Sequence, residues 1–258
     1  MVFRGIFERR RQRKALLATV NALRATVEAL EVDLTQRLDM RVHAAREAAT
    51  PCLLQIQSAD ESKNGTGFLV TEDGFVLTAY HVRTGQLTRQ NLAYNSPCRA
   101  TLFNGTVVPC EPVEDFPDLD LSLMKMAGRS FSCFETAIYV TEDKTVAVIG
   151  YCLEYEGTLH IPNLTIGRVS TVVHTALTLP NGVFMGPDAP HQLCTANVNT
   201  GDSGAPVFDL VSLQLLGVFR SLHKRSEDQG QAVFMDVTRG AGVWPRIRAA
   251  IDRHRAIL

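Results

Sequence analysis

The chain has 258 residues, 45% of them hydrophobic and 21% charged, with a formal net charge of −1. That is enough apolar material for one full core and room for a second, while the near-neutral balance without a compact basic face excludes a nucleic-acid-binding role. No apolar run approaches the roughly 20 residues that a spanning helix needs, so no transmembrane segment is expected.

The amino-terminal stretch reads as helix. Between Ile6 and Thr50 there is neither glycine nor proline, and Ala, Leu, Arg and Glu dominate, a composition of strong helix formers. Leu16, Val20, Leu23, Val27, Leu30 and Leu34 recur at alternating intervals of four and three, the seam of a coiled coil. Arg37 and Arg41 take the next seam positions, which limits the clean repeat to about three heptads. Residues 1–49 are therefore expected to form a helical arm. Residues 16–34 either associate with a second copy or a partner helix, or dock on the chain's own second domain, and both readings stay open. The first fourteen residues mix Val2, Phe3, Ile6 and Phe7 with Arg4, Arg9, Arg10, Arg11, Arg13 and Lys14, which reads first as a charged helix start. Contact with an anionic membrane surface and an organelle-targeting segment, weakened by Glu8 and the lack of serine, stay open. No uninterrupted apolar segment follows these basic residues, so no signal peptide is expected and the expected location is cytoplasmic.

Pro51 ends the helix, since proline biases the residue before it away from helical geometry. Short β-rich runs follow: Cys52 to Gln57, Gly65 to Val70, Phe75 to Val82, Ala100 to Phe103, Thr106 to Val108 and Leu121 to Met126. Turns such as Glu72-Asp73-Gly74 and Asn104-Gly105 separate them. A second set comprises Thr145 to Ile149, Leu164 to Val173, Gly204 to Phe208, Leu215 to Phe219 and Gln231 to Val237. Strand spacing by itself says all-β, a barrel or a sandwich. Residues 243–258 have helical spacing, with Trp244, Ile247, Ala250 and Ile251 on one side.

Chemistry concentrates in Asn199-Thr200-Gly201-Asp202-Ser203-Gly204-Ala205-Pro206-Val207. A serine between glycines on a turn is a candidate nucleophile, and the backbone N–H groups of Gly201 and Ser203 are candidate donors to a negative oxygen. A serine hydroxyl needs a base, and the base needs an orienting group. His81, at the end of an apolar run, is the candidate base. Asp120, just before an alternating apolar strand, is the candidate acid, because a buried carboxylate there requires a hydrogen-bonded partner. Asp118 would share its face in an extended segment and remains the rival acid on the residues alone.

Taken together, Thr78-Ala79-Tyr80-His81, Asp120-Leu121-Ser122-Leu123 and Gly201-Asp202-Ser203-Gly204 in this chain order resemble the chymotrypsin-fold, trypsin-like serine endopeptidases. The run from Gly65-Thr66-Gly67-Phe68-Leu69-Val70 to Thr78 is most similar to the Deg/HtrA-type branch. Chain order discriminates among folds that carry the same three residues. The resemblance covers roughly residues 51–258 and selects Asp120 over Asp118. It implies two six-stranded antiparallel β-barrels (about 50–133 and 134–240) with a closing helix over 243–258. Residues 50–258 would form the protease domain. It also implies acyl transfer on polypeptide substrates by His81, Asp120 and Ser203, with no metal or organic cofactor. By the family's layout the specificity pocket is walled by Asn197 and Val198, by Arg220-Ser221-Leu222 and by Ala232-Val233-Phe234. The absence of an acid at Asn197 argues against a Lys/Arg preference; a small or medium apolar side chain is expected, with Arg220 leaving an acidic preference open.

Two departures stand out. Relatives of the Deg/HtrA type usually carry a PDZ domain after the protease, and none is seen here. In secreted relatives the aspartate before the serine pairs with a freshly cut amino terminus, and no such cleavage site precedes the first strand, so the partner of Asp202 is open. The six cysteines (Cys52, Cys98, Cys110, Cys133, Cys152, Cys194) form no Cys-x-x-Cys pair and are expected to be reduced, with a Cys98–Cys110 bridge across a hairpin left open. His191-x-x-Cys194 is too small a set for a metal site. The rival reading from another class is a catalytically silent protease fold that serves as a scaffold or interaction module through its helical arm.

Overall fold

The computed structural model describes residues 2–88, 91–151, 162–173, 177–178, 184–185, 190–199, 201–226 and 229–257; Cys152 and Thr200 lie outside them. The chain divides into two compact units, 1–44 and 45–258. The first unit is most of one helix, α1 (Val2–Ala49). At 48 residues it is about 70 Å long. Leu16, Val20, Leu23, Val27, Leu30 and Leu34 are each more than half exposed along it. Its last turn belongs to the second unit, where Ala45 and Ala49 are buried. Pro51 then stops it through a 3₁₀ turn, Thr50–Cys52.

The second unit holds two closed barrels. The first runs β1 (Leu53–Gln57), β2 (Asn64–Leu69), β3 (Phe75–Ala79), β4 (Cys98–Leu102), β5 (Val107–Phe116) and β6 (Leu121–Met126), in the spatial order β1-β2-β3-β6-β5-β4. All six pairings are antiparallel. After β7 (Thr145–Gly150) and β8 (Asn163–Val173) comes a two-stranded pair, β9 (Leu177–Thr178) and β10 (Phe184–Met185). Then follow β11 (His191–Cys194), β12 (Pro206–Asp209), β13 (Leu215–Ser226) and β14 (Gln229–Asp236). The second barrel closes in the order β11-β14-β13-β12-β7-β8. Six antiparallel strands per barrel are the expected architecture, together with the long amino-terminal helix and the carboxy-terminal α3 (Val243–Arg255).

Three elements depart from simple alternation. β5 extends to Phe116 through Pro109 and Pro112, with a register shift between Pro112 and Glu114. Its prolines and acids hide a strand that both neighbours nonetheless pair. β11 was hidden too: all four of its residues are buried, so it has no polar face to reveal a period of two. And β3 stops at Ala79, before His81.

Each barrel has its own core, Leu54, Ile56, Leu69, Val76 and Met124 among the first, Val146, Val148, Val207, Leu216 and Phe234 among the second. Between them Phe134 packs edge-on against Phe68 at 5.7 Å and tilted against Phe208 at 5.5 Å. α3 buries Val243, Ile247, Ala250 and Ile251, and its Arg246, Arg253 and Arg255 pair with Asp118, Glu114 and Asp73 of the first barrel. The chain thus finishes by strapping its end back to its beginning.

Candidate active site

His81 sits in a single helical turn, α2 (Tyr80–Thr84), and not in a strand as its apolar context suggests. The turn forms because tertiary partners take its ends. The Tyr80 N–H donates to the Asp120 carbonyl (2.9 Å), Thr84 Oγ1 donates to the Tyr80 carbonyl (2.9 Å), and the Gly85 N–H closes on the His81 carbonyl (3.2 Å). Behind it, Arg83 is wholly buried, stacks on Tyr94 at 4.4 Å and bonds to Asp115 at 2.5 Å. Asp115 also accepts from Tyr94 Oη and Ser122 Oγ. This buried network, in which Nη1 and Nη2 of Arg83 are bonded to Tyr94 and Asp115, anchors the turn that presents the imidazole.

Asp120 occupies the turn before β6, where its N–H donates to the Pro117 carbonyl (3.2 Å). Its φ of 49° is in the left-handed region, which aspartate tolerates better than most residues. The side chain is fully buried. The His81 backbone N–H donates to Oδ1 (3.0 Å), and Nδ1 of the ring lies 2.9 Å from Oδ2 and 3.1 Å from Oδ1. Burial alone would raise this carboxyl, but the His81 hydrogen bond and the Arg220 charge hold it below the usual carboxylate range. An ionised carboxylate only accepts, so Nδ1 carries the proton and Nε2 is left as the basic nitrogen. Asp118, the rival, points elsewhere: it is exposed and bonds Arg246 at 2.8 Å and 3.2 Å.

The serine turn comes from the second barrel. Gly201 has φ +99° and Gly204 φ +85°; both values are costly for residues with a Cβ. At Gly204 a Cβ would also strike the Thr66 carbonyl and the Thr78 hydroxyl. Thr66 of β2 stitches the turn to the first barrel. Its N–H donates to the Ser203 carbonyl (2.9 Å), its hydroxyl donates to the Gly201 carbonyl (2.9 Å), and that hydroxyl accepts from the Tyr151 N–H (2.9 Å). Ser203 Oγ donates to the Arg220 carbonyl (3.3 Å); among the described residues no hydrogen bond joins it to His81. The N–H groups of Gly201 and Ser203 have no protein acceptor among the described residues.

Asp202, beside the serine, is buried, 2% exposed. Its Oδ2 accepts from the Asn199 N–H (2.7 Å), while Oδ1 has no partner among the described residues. Burial pushes its carboxyl up to about 6, only partly opposed by the Asn199 bond.

The expected pocket wall is built differently. Val198, Ala232 and Phe234 belong to the core of the second barrel and have almost no free surface, because closure of the barrel turns them inward. Arg220 is 1% exposed and turns its Nε and Nη2 toward Asp120. Asn197 is exposed and Ser221 half-buried; Leu222 lies on β13 opposite Ala232. Thr66 and the Arg220–Asp120 link were missed as site features. Thr66 stood in the quoted Gly-Thr-Gly motif, but nothing local marks a hydroxyl that serves a residue 135 positions away. No cluster of metal-binding side chains occurs among the described residues, and His191 and Cys194 are strand residues of the second barrel.

Two six-stranded barrels with this histidine, aspartate and serine gathered around Arg220 define the chymotrypsin-like class. The chain belongs to the trypsin-like peptidase domain family, which matches residues 65–218. Among solved structures it is similar to the serine endoprotease from Yersinia pestis, at 16% identity and a TM-score of 0.63, covering 82% of this chain and 66% of that one. It is similar to Deg5 at 22% identity and a TM-score of 0.58, covering 77% and 90%. The inactive form of the Rv3671c protease of M. tuberculosis H37Rv aligns at 20% identity and a TM-score of 0.59, covering 79% and 92%. The chain spans about two thirds of the length of the Yersinia pestis protein. No curated protein sequence matches it.

Proposed function

We propose that this chain is a serine endopeptidase working through an acyl-enzyme. The observation that supports it best is the buried Asp120 carboxylate on the His81 ring at 2.9 Å, on a family fold that carries Ser203 in the facing turn. Nε2 of His81 takes the Ser203 proton as Oγ attacks a peptide carbonyl, for which the hydroxyl must first leave the Arg220 carbonyl that it bonds at 3.3 Å. Asp120 keeps the ring in its Nδ1–H tautomer and stabilises the imidazolium. The unclaimed N–H groups of Gly201 and Ser203 receive the oxyanion, each worth about 3 kcal/mol in the transition state. His81 then hands its proton to the leaving amine, the C–N bond breaks, and water repeats the sequence on the ester. Asn197, which is exposed, and Ser221, which is half-buried, are the described pocket residues with surface to offer. They suit a small, uncharged substrate side chain.

Exposed Leu16 to Leu34 further supports self-association of the arm through a short coiled coil. The five described cysteines are all free, Cys98 and Cys110 even though they face each other across β4 and β5. That supports a reducing, cytoplasmic compartment.

The second reading, a silent scaffold, is favoured by one observation: the serine is bonded to Arg220 and not to the base. A fluorophosphonate probe separates the two. Labelling of the wild type, lost in Ser203→Ala and at least a hundredfold slower in His81→Ala, is the expected result; a wild type that never labels supports the scaffold.

A further inference from the structure

We propose that Arg220 is a positioning residue that attenuates the peptidase site: its guanidinium shares the Asp120 carboxylate with His81 and weakens the support that carboxylate gives to the protonated ring. The proposal rests on the peptidase reading.

Geometry carries it. Arg220 lies on β13 of the second barrel and Asp120 belongs to the first, so the pair crosses the cleft between barrels. Arg220 Nε donates to Oδ2 at 3.0 Å and Nη2 lies 2.7 Å from the same oxygen. That oxygen is also the nearer one to His81 Nδ1, at 2.9 Å. Both side chains of the ion pair are 0% exposed, and the His81 side chain is 24% exposed, so water screens the ring from its outer side only and the ion pair itself hardly at all. In the resting enzyme the aspartate's charge is already answered by a permanent cation. When His81 accepts the Ser203 proton, a second cation arises against the same oxygen, facing the guanidinium across it. The transition state therefore gains less from Asp120 than a carboxylate paired with the ring alone would supply.

Among the described residues no other cation acts on Asp120. His81 and Arg220 are the described residues whose charge and bonds act on Asp120. On α2, Arg83 is committed to Asp115, and on α3, Arg246 is committed to Asp118. The main chain of residue 220 acts in the same sense, because its carbonyl holds the Ser203 hydroxyl. One residue thus restrains the nucleophile with its backbone and loads the acid with its side chain.

The test uses the full chain with Arg220→Gln, which keeps a donor and removes the charge, and Arg220→Lys, which keeps the charge and loses the fork. Fluorophosphonate labelling rates are followed from about pH 5 to 9, across the range where imidazole titrates. Replacing a triad aspartate with a neutral amide typically costs about ten-thousandfold. Relief of partial neutralisation is accordingly expected to raise the Arg220→Gln plateau by about tenfold and to move its acid limb to higher pH. Arg220→Lys should gain no more than about threefold, because its ammonium still faces the carboxylate. Independently of activity, the low-field proton of His81 Nδ1–H, assigned by its loss in His81→Gln, should move further downfield in Arg220→Gln.

A folded Arg220→Gln that labels no faster than wild type, with that proton unmoved, overturns the proposal. So does an Arg220→Lys that accelerates as much as Arg220→Gln. If Arg220→Gln does not fold, Arg220→Ser, which admits water to the carboxylate, is read the same way. Absence of labelling in every form, with the proton still shifted, sinks the peptidase reading and leaves the charge coupling standing.

Discussion

Asp120 in the turn before β6 and Asp202 in the serine turn are the same residue type, both fully buried, on facing edges of the two barrels. Their carboxyls are nevertheless driven in opposite directions. Asp120 meets a ring N–H, a backbone N–H and a guanidinium, and stays below the ordinary carboxylate range. Among the described residues Asp202 has one backbone N–H and no partner for its second oxygen, and its carboxyl is pushed up to about 6. Burial is common to both, so the partners decide. Asp120 draws its donors from two barrels, and the pair His81–Arg220 converges there only because both are closed. Asp202 lies against Gly150, and no cation among the described residues pairs with it. One site is wired for charge; the other tolerates it only above mildly acidic pH.

The strongest way to break this contrast is to neutralise each acid in turn. Asp120→Asn should slow fluorophosphonate labelling by about ten-thousandfold. It should also cost about 3–5 kcal/mol in urea unfolding, since it leaves the Arg220 guanidinium buried without its counter-ion. Equal labelling by wild type and variant would show that Asp120 has no part in the chemistry.

Asp202→Asn should act in the opposite sense, on stability and with a pH signature. The wild-type carboxyl titrates near 6 folded, against 3.8 for the ordinary group. The native state therefore holds a proton that the unfolded chain releases, and stability falls as pH rises from about 4 through 6. The loss integrates to about 3 kcal/mol. Asn carries no such charge, so the variant should be about 3 kcal/mol more stable than wild type at pH 8, the difference closing by pH 4. Parallel stability curves for the two proteins would mean that Asp202 has a counter-ion after all.

The smallest effect on the fold is expected from the arm. Removing residues 1–44, and sparing the buried Ala45 and Ala49, should change the unfolding free energy of the body by less than about 0.5 kcal/mol. The mass measured by light scattering should fall by more than the weight of the deleted residues, since the seam from Leu16 to Leu34 is gone. A mass that falls only by the arm's own weight excludes association through it.

Much of this fold was legible because its signals are local. The arm announced itself by the absence of glycine and proline from Ile6 to Thr50, α3 by the spacing of Ile247, Ala250 and Ile251, and the hairpins by Asp73-Gly74 and Asn104-Gly105. Strands with two buried faces or internal prolines, β11 and β5, gave no such period. The motif order His81, Asp120, Ser203 was readable as a resemblance, whereas α2 around His81 was not. That turn owes its ends to Asp120 and its base to Arg83 and Asp115, partners from 32 to 39 residues away. The surroundings of the expected pocket residues were out of reach for a related reason: layout along the chain names positions, but only barrel closure decides that Phe234 turns into a core and Arg220 toward an acid.

The order of residues by itself determined the helical arm, the rough places of most strands, and which three side chains were worth watching. Those follow from backbone propensity and from spacing, which act over a few positions. Which acid meets the imidazole, what a buried arginine does beside it, and why one aspartate is charged and its neighbour reluctant were decided by tertiary structure. Electrostatic fate depends on what lies within a few ångströms in space, and here those neighbours are up to 100 residues apart in sequence.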